Sequence, residues 1–176
     1  MERKEHSTVT LGTFAMPIAK LKIMNNEKTI EENYKNFIAQ ICETELVYAL
    51  ENEDRFATSQ SIQFENEEGE PTAVICFWSS KELASVCIKD DWKGYHVTSI
   101  KLPDFIENWC VGMHYDSLVL GTEFDQDMFG QEAQPLELIL ALTIQLKAMN
   151  KDVKLSRFKG ITDIAHQVRN LIESEL

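Results

Sequence analysis

The stretch Thr72–Trp78, TAVICFW, is apolar at nearly every position and does not alternate. A strand with one wet face alternates with a period of two. One covered on both faces does not, so this stretch reads as a central strand under two layers. Two further apolar runs follow within 50 residues, VTSIKL from Val97 and SLVLGTEF from Ser117. Each is separated from the last by a stretch with helical spacing. Strand, helix, strand, helix, strand in so short a span requires crossover connections and a partly parallel sheet. The expected fold is therefore α+β, with a mixed sheet of about five strands and helices on both faces.

Ahead of the central strand, Thr29 and Glu32 in TIEE have the spacing of a capping box. Ile30, Tyr34, Phe37, Ile38 and Ile41 then recur at helical spacing, which predicts an amphipathic helix ending near Glu43. Leu46–Leu50 and the alternating set Phe56, Thr58, Gln60, Ile62 and Phe64 predict a hairpin around the ENED turn. ENEEGEP makes a second turn. After the central strand, Ser79 and Glu82 form a second capping box, and Leu83, Val86 and Cys87 supply that helix's inner stripe. Gly94 in DDWKGYH provides a positive-φ position. Pro103 suits a first helical turn, and Phe105, Ile106, Trp109, Cys110 and Met113 form the stripe behind it. Pro135 opens PLELILALTIQLKAMN, apolar on nearly every side and so a helix sandwiched between layers.

These elements divide the chain into an N-terminal extension (1–24), one α+β domain (25–150), and a basic linker with a C-terminal amphipathic helix (151–176). The linker carries Lys151, Lys154, Arg157 and Lys159. In the helix, Ile161, Ile164, Ala165, Val168 and Leu171 face the domain. The basic, partly apolar N-terminus has the outline of a signal peptide, but Pro17, Lys20 and Lys22 interrupt it and no cleavage site follows. Met24 is an alternative start. No run approaches the ~18 apolar residues of a membrane span.

Charge narrows the partners. The 17 Lys and Arg stand against 29 Asp and Glu, a net of −12. Such a chain repels phosphate backbones, which argues against nucleic acid. Nine acidic residues and one basic residue lie between Glu43 and Glu70. Glu65, Glu67, Glu68 and Glu70, together with Asp125 and Asp127, are the expected partner-binding residues, and the expected partner is a basic protein. The four cysteines form no CxxC pair and sit among apolar neighbours, as reduced thiols of a cytoplasmic protein do.

No motif completes a catalytic or metal site. Read as a calcium loop from Asp125, EFDQDMFG has Asp127 third and Gly130 sixth, but the twelfth position is Leu136 where a glutamate is required. Cys110 and His114, four apart on one helix face, could bind zinc or act as nucleophile and base, with His96 as the third ligand. Two ligands do not make a zinc site, and a core thiol beside a helix-end histidine accounts for the pair. CFWSS lacks the glycine of a nucleophile elbow. Trp78, Trp92 and Trp109 read as core anchors. The expectation is a non-catalytic protein-binding module with no cofactor. The alternatives are a small enzyme or metal-binding domain at Asp125/Asp127 or Cys110/His114, and a homodimer through the C-terminal helix.

Four stretches resemble one known family: YALENEDRFATSQS, GEPTAVICFWSSKELASVC, DDWKGYHVTSIKLPDFIENWC and LVLGTEFDQDMFGQEAQPLEL. Over about residues 30–145 the chain resembles the bacterial domain-of-unknown-function family 2750. Its most specific parts are Phe77–Trp78–Ser79, Trp92–x–Gly94–Tyr95, the LPDFIENW helix start and Gly121 through Asp125. The resemblance implies no activity and no catalytic residue. In general type, though not in motif, a small acidic α+β domain is also similar to bacterial immunity proteins, which block toxins by binding them.

Overall fold

The computed structural model describes the backbone of residues 18–176 and the side chains from Glu27 onward. The first helix, α1, runs Ile18–Thr44. Thr29 lies inside it rather than at its start, because the upstream residues Ile18–Lys28 are themselves mostly good helix formers and a capping box acts only where the chain upstream is not helical. Residues 18–24 of the expected extension are thus helical; residues 1–17 fall outside the described residues.

Among the described residues, six strands form one mixed sheet in the order β4-β1-β3-β5-β6, with β2 also on β3. They are β1 (Leu46–Glu51), β2 (Thr58–Glu65), β3 (Pro71–Trp78), β4 (His96–Lys101), β5 (Val119–Thr122) and β6 (Gln131–Ala133). Of these six strands, β3 and β5 form the parallel pair, from Val74 opposite Val119 to Phe77 opposite Thr122. The last three residues of β3 are buried on both faces, while its first half alternates. The sixth strand, β6, is a three-residue antiparallel addition to β5 at GQEAQ.

The expected β1–β2 hairpin is reduced to a bridge between Glu51 and Phe56. β1 instead pairs along its whole length with β4, from Leu46 opposite Lys101 to Glu51 opposite His96, and β2 pairs with β3. Asn52 still makes the ENED turn, its side chain accepting from the amides of Asp54 and Arg55 at 3.0 and 2.9 Å. The true hairpin joins β2 and β3 through the acidic turn. There Asn66 Oδ1 accepts from the Glu68 and Glu70 amides and Gly69 takes φ +78°.

The phase of β2 also differs from expectation. Gln60 pairs with Ala73 and Glu65 with Pro71, so residues 61–64 face Thr72 alone. This wide bulge turns Ser61 inward and Ile62 outward, the latter 90% exposed.

One face of the sheet carries the larger core, formed with α1, the helical run after β4, α5 (Pro135–Ala148) and α6 (Ile161–Glu175). That run begins as α3 (Leu102–Asp104), continues as a π-helical segment (Phe105–Cys110), and ends as α4 (Val111–Tyr115). The other face carries a smaller core around Trp78, Cys76, Val74, Trp92 and Phe124. Its cover is the short α2 (Lys81–Ser85) and a 3₁₀ turn at Asp90–Trp92. The cap of α2 is Ser80, not Ser79: Ser80 Oγ accepts from the Leu83 amide. Leu83 and Val86 consequently point outward, and Ala84 and Cys87 are the buried positions.

The linker before α6 is strapped down. Lys151 Nζ donates to the carbonyls of Cys42 and Glu43 at 2.9 and 2.7 Å, capping α1. Glu107, 3% exposed, accepts from the Ser156 and Arg157 amides at 2.9 and 2.6 Å. No helix among the described residues is long and apolar enough to cross a membrane.

Candidate functional site

In sheets with parallel strands, ligands gather beyond the strands' carboxyl ends. Here those ends are Trp78 of β3 and Thr122 of β5. Trp78 is fully buried, its Nε1 donates to the Phe124 carbonyl at 2.8 Å, and its ring meets Trp92 edge-on at 6.0 Å. Cys87 Sγ donates to the same carbonyl at 3.2 Å. Glu123 accepts from the Ser79 amide at 2.7 Å while its own amide donates to Phe77 O at 3.0 Å. Burial pushes the Glu123 carboxyl above its ordinary range, and its hydrogen bonds from Ser79 oppose the shift.

The chain then closes a tight loop on Asp125. Its Oδ1 accepts from the Asp127 and Phe129 amides at 2.8 and 3.0 Å, and the Met128 amide donates to Asp125 O at 3.0 Å. The loop seats against Phe124 because residue 130 is glycine: a Cβ there would overlap the Phe124 ring and stand 2.7 Å from Thr122 O.

This loop, the turn at Asp90–Trp92 and the start of β2 enclose a pocket of about 530 Å³. Asp90, Asp91 and Asp125 line it, against one cation, Lys89; Trp92, Met128 and Cys87 give it apolar wall. Three residues around it hold positive φ without being glycine: Asp90 (49°), Glu123 (53°) and Met128 (65°). Such conformations cost of order 1 kcal/mol each and collect at ligand sites. The Cys87 thiol is raised by burial and then by Asp125, so it stays a protonated donor rather than a nucleophilic thiolate.

The predicted site residues divide. Asp125 is in the pocket wall, and Asp127 stands exposed on the same loop. Glu65, Glu67, Glu68 and Glu70 are all exposed, but on the hairpin turn where β3 begins. The Asp125 loop leaves β5 beside the end of β3, and none of these four glutamates lines its pocket. The structure gives Cys110 and His114 different surroundings. Cys110 is fully buried and its thiol is pushed up by desolvation, while His114 Nε2 lies 3.2 Å from Glu175 Oε1 on α6. His96 pairs with Glu51 at 3.4 Å. Among the described residues, no three His, Cys, Asp or Glu side chains are grouped so as to hold a metal ion. All four cysteines are free and buried.

Sequence reasoning missed Asp90 and Asp91, which lie in the DDWKGYH stretch, and Glu132. Glu132 is 5% exposed; its carboxylate accepts from the Ser61 hydroxyl and, at 2.9 Å, from the Ile62 amide. No periodicity marks a carboxylate that anchors a bulge from another strand. A second, larger cavity of about 760 Å³ lies between the end of α5 and the start of α6, lined by Lys147, Lys159 and His166 among others. It shares no lining residue with the pocket at Asp125. Two of its charged residues are already engaged, Lys151 on α1 and Asp163 on the Lys159 amide.

No curated protein and no solved structure matches the chain. A family model described as "Protein of unknown function (DUF2750)" matches residues 34–142. That span takes in all six strands and every residue lining the pocket at the strand ends. It covers well over half of the sequence, and the chain therefore belongs to the DUF2750 family.

Proposed function

We propose that the protein is a non-catalytic binding module that receives a cationic side chain of a basic protein partner in the pocket at Asp90, Asp91 and Asp125. The observation that carries this reading is the pocket's lining, three carboxylates against one ammonium with the Trp92 indole in the wall. Such a site offers Coulomb attraction and an aromatic surface to a guanidinium or ammonium group. The positive φ values at Asp90, Glu123 and Met128 support it, since that backbone needs a reason to persist. The net charge of −12 favours encounter with the same class of partner.

A short arginine-rich peptide tests the reading. It is expected to bind the wild-type chain with an affinity that falls as salt rises, and to change the tryptophan fluorescence. The D90N/D91N variant, altered at two exposed positions, should keep its Tm and bind about tenfold more weakly, the scale of losing one or two charge contacts. Binding unchanged in that variant would overturn the reading, as would no binding to the wild type at low salt.

A further inference from the structure

The acidic pocket continues into an apolar groove. A cleft of about 300 Å³ shares Ser59, Gln60 and Met128 with it and is lined further along by Ile62, Phe129 and Ile30. Three of the large hydrophobic residues exposed on the described surface meet there: Ile62 at 90%, Phe129 at 58% and Met128 at 40%. Single exposed apolar residues are ordinary, but a cluster of them in a groove marks a contact surface.

These side chains project from pinned backbone. The Ile62 amide is held by the buried Glu132 carboxylate, whose other oxygen takes the Ser61 hydroxyl, and that hydroxyl in turn accepts from the Gln63 and Phe64 amides at 3.0 and 2.7 Å. The Phe129 amide is held by Asp125. A surface fixed before the ligand arrives loses little conformational freedom on binding. Charge selects the occupant. The groove is rimmed by the exposed Glu27 and opens into the three pocket aspartates, so a second copy of a chain of net charge −12 would bring like charges together.

We infer that the partner contributes an amphipathic segment, in which an arginine or lysine enters the acidic pocket and a neighbouring aliphatic or aromatic side chain seats on Ile62, Met128 and Phe129. This rests on the acidic pocket being the partner site, and the test separates the two. Three short synthetic peptides are titrated into the full chain: arginines interspersed with phenylalanines, arginines with glycines, and phenylalanines with serines. The mixed peptide is expected to bind roughly ten- to hundredfold more tightly than the arginine–glycine peptide, the worth of one buried apolar side chain. I62S/F129S, altered only at exposed positions, should abolish that advantage and leave arginine–glycine binding unchanged. If the mixed peptide has no advantage, or keeps it in I62S/F129S, the groove inference fails while the acidic pocket stands. If no arginine peptide binds, both fail. A concentration-dependent dimer of the wild-type chain that I62S/F129S dissolves would also overturn the inference, because the groove would then belong to a second copy.

Discussion

Glu123 combines opposing influences in one side chain. Burial disfavours its charge, the Ser79 amide favours it, and the net effect is a carboxyl that holds its proton above the ordinary value of 4.5. In the unfolded chain the same group ionises near that ordinary value. As pH rises through the window between the two, the unfolded state loses its proton first, so this residue's contribution to folding stability is full below about 4.5 and declines until the folded carboxyl ionises. Glu123→Gln keeps an oxygen for the Ser79 amide and removes the charge. Urea unfolding of both proteins from pH 4 to pH 7 is expected to show wild type losing stability relative to the variant as pH rises, with the variant's Tm equal or higher at pH 7. A difference that stays flat across that range would mean Glu123 is not desolvated. Ser79 thus has a role that its sequence context did not suggest. It read as a helix cap, but its amide serves Glu123 and its neighbour Ser80 makes the cap.

At the scale of elements, the strap between α5 and α6 depends on Glu107. Both carboxylate oxygens accept backbone amides, and a glutamine offers only one acceptor in their place. Glu107→Gln is expected to lower unfolding free energy by about 2 kcal/mol, the range for hydrogen bonds to a buried charge. Amide exchange at Ser156 and Arg157 should accelerate more than in the β3–β5 ladder. Equal protection in both places would mean that Lys151, Val153 and Leu155 hold the strap without Glu107. The elements themselves were largely legible. TAVICFW, VTSIKL and SLVLGTEF became β3, β4 and β5, and Pro103 and Pro135 opened helices as their fixed φ suggests. Pairing was less so. Whether β1 joins β2 or β4 is decided by tertiary competition for the edge of β3, which local alternation does not report. The phase of β2 was hidden for a related reason: its bulge is held by Glu132, about 70 residues away. Likewise, that Asp90 and Asp91 line a pocket with Asp125 depends on where the chain folds back, and nothing in DDWKGYH carries that information.

For the molecule as a whole, the acidic residues fall into two groups that act at different range. The hairpin turn with Glu67 and Glu68 stands where β3 begins, while the pocket's β2 lining, Thr58, Ser59 and Gln60, pairs with Ile75, Val74 and Ala73 along the middle of β3. The turn's carboxylates line neither the pocket nor the groove, and at physiological ionic strength their charges are felt over only ~8 Å before screening. Charges outside a contact still steer approach, and mutating them changes association rates and salt dependence; contacts inside it govern dissociation. Stopped-flow measurement with the arginine–phenylalanine peptide at low and moderate salt separates the two. Glu67→Lys with Glu68→Lys is expected to slow association several-fold at low salt, less at moderate salt, with the dissociation rate and Tm unchanged. D90N/D91N is expected to raise the dissociation rate. If the reversals on the turn accelerate dissociation instead, the bound segment reaches the hairpin, and the contact surface extends along the whole of β3. If they change neither rate, the turn's carboxylates act only as solvation, and steering comes from the pocket alone.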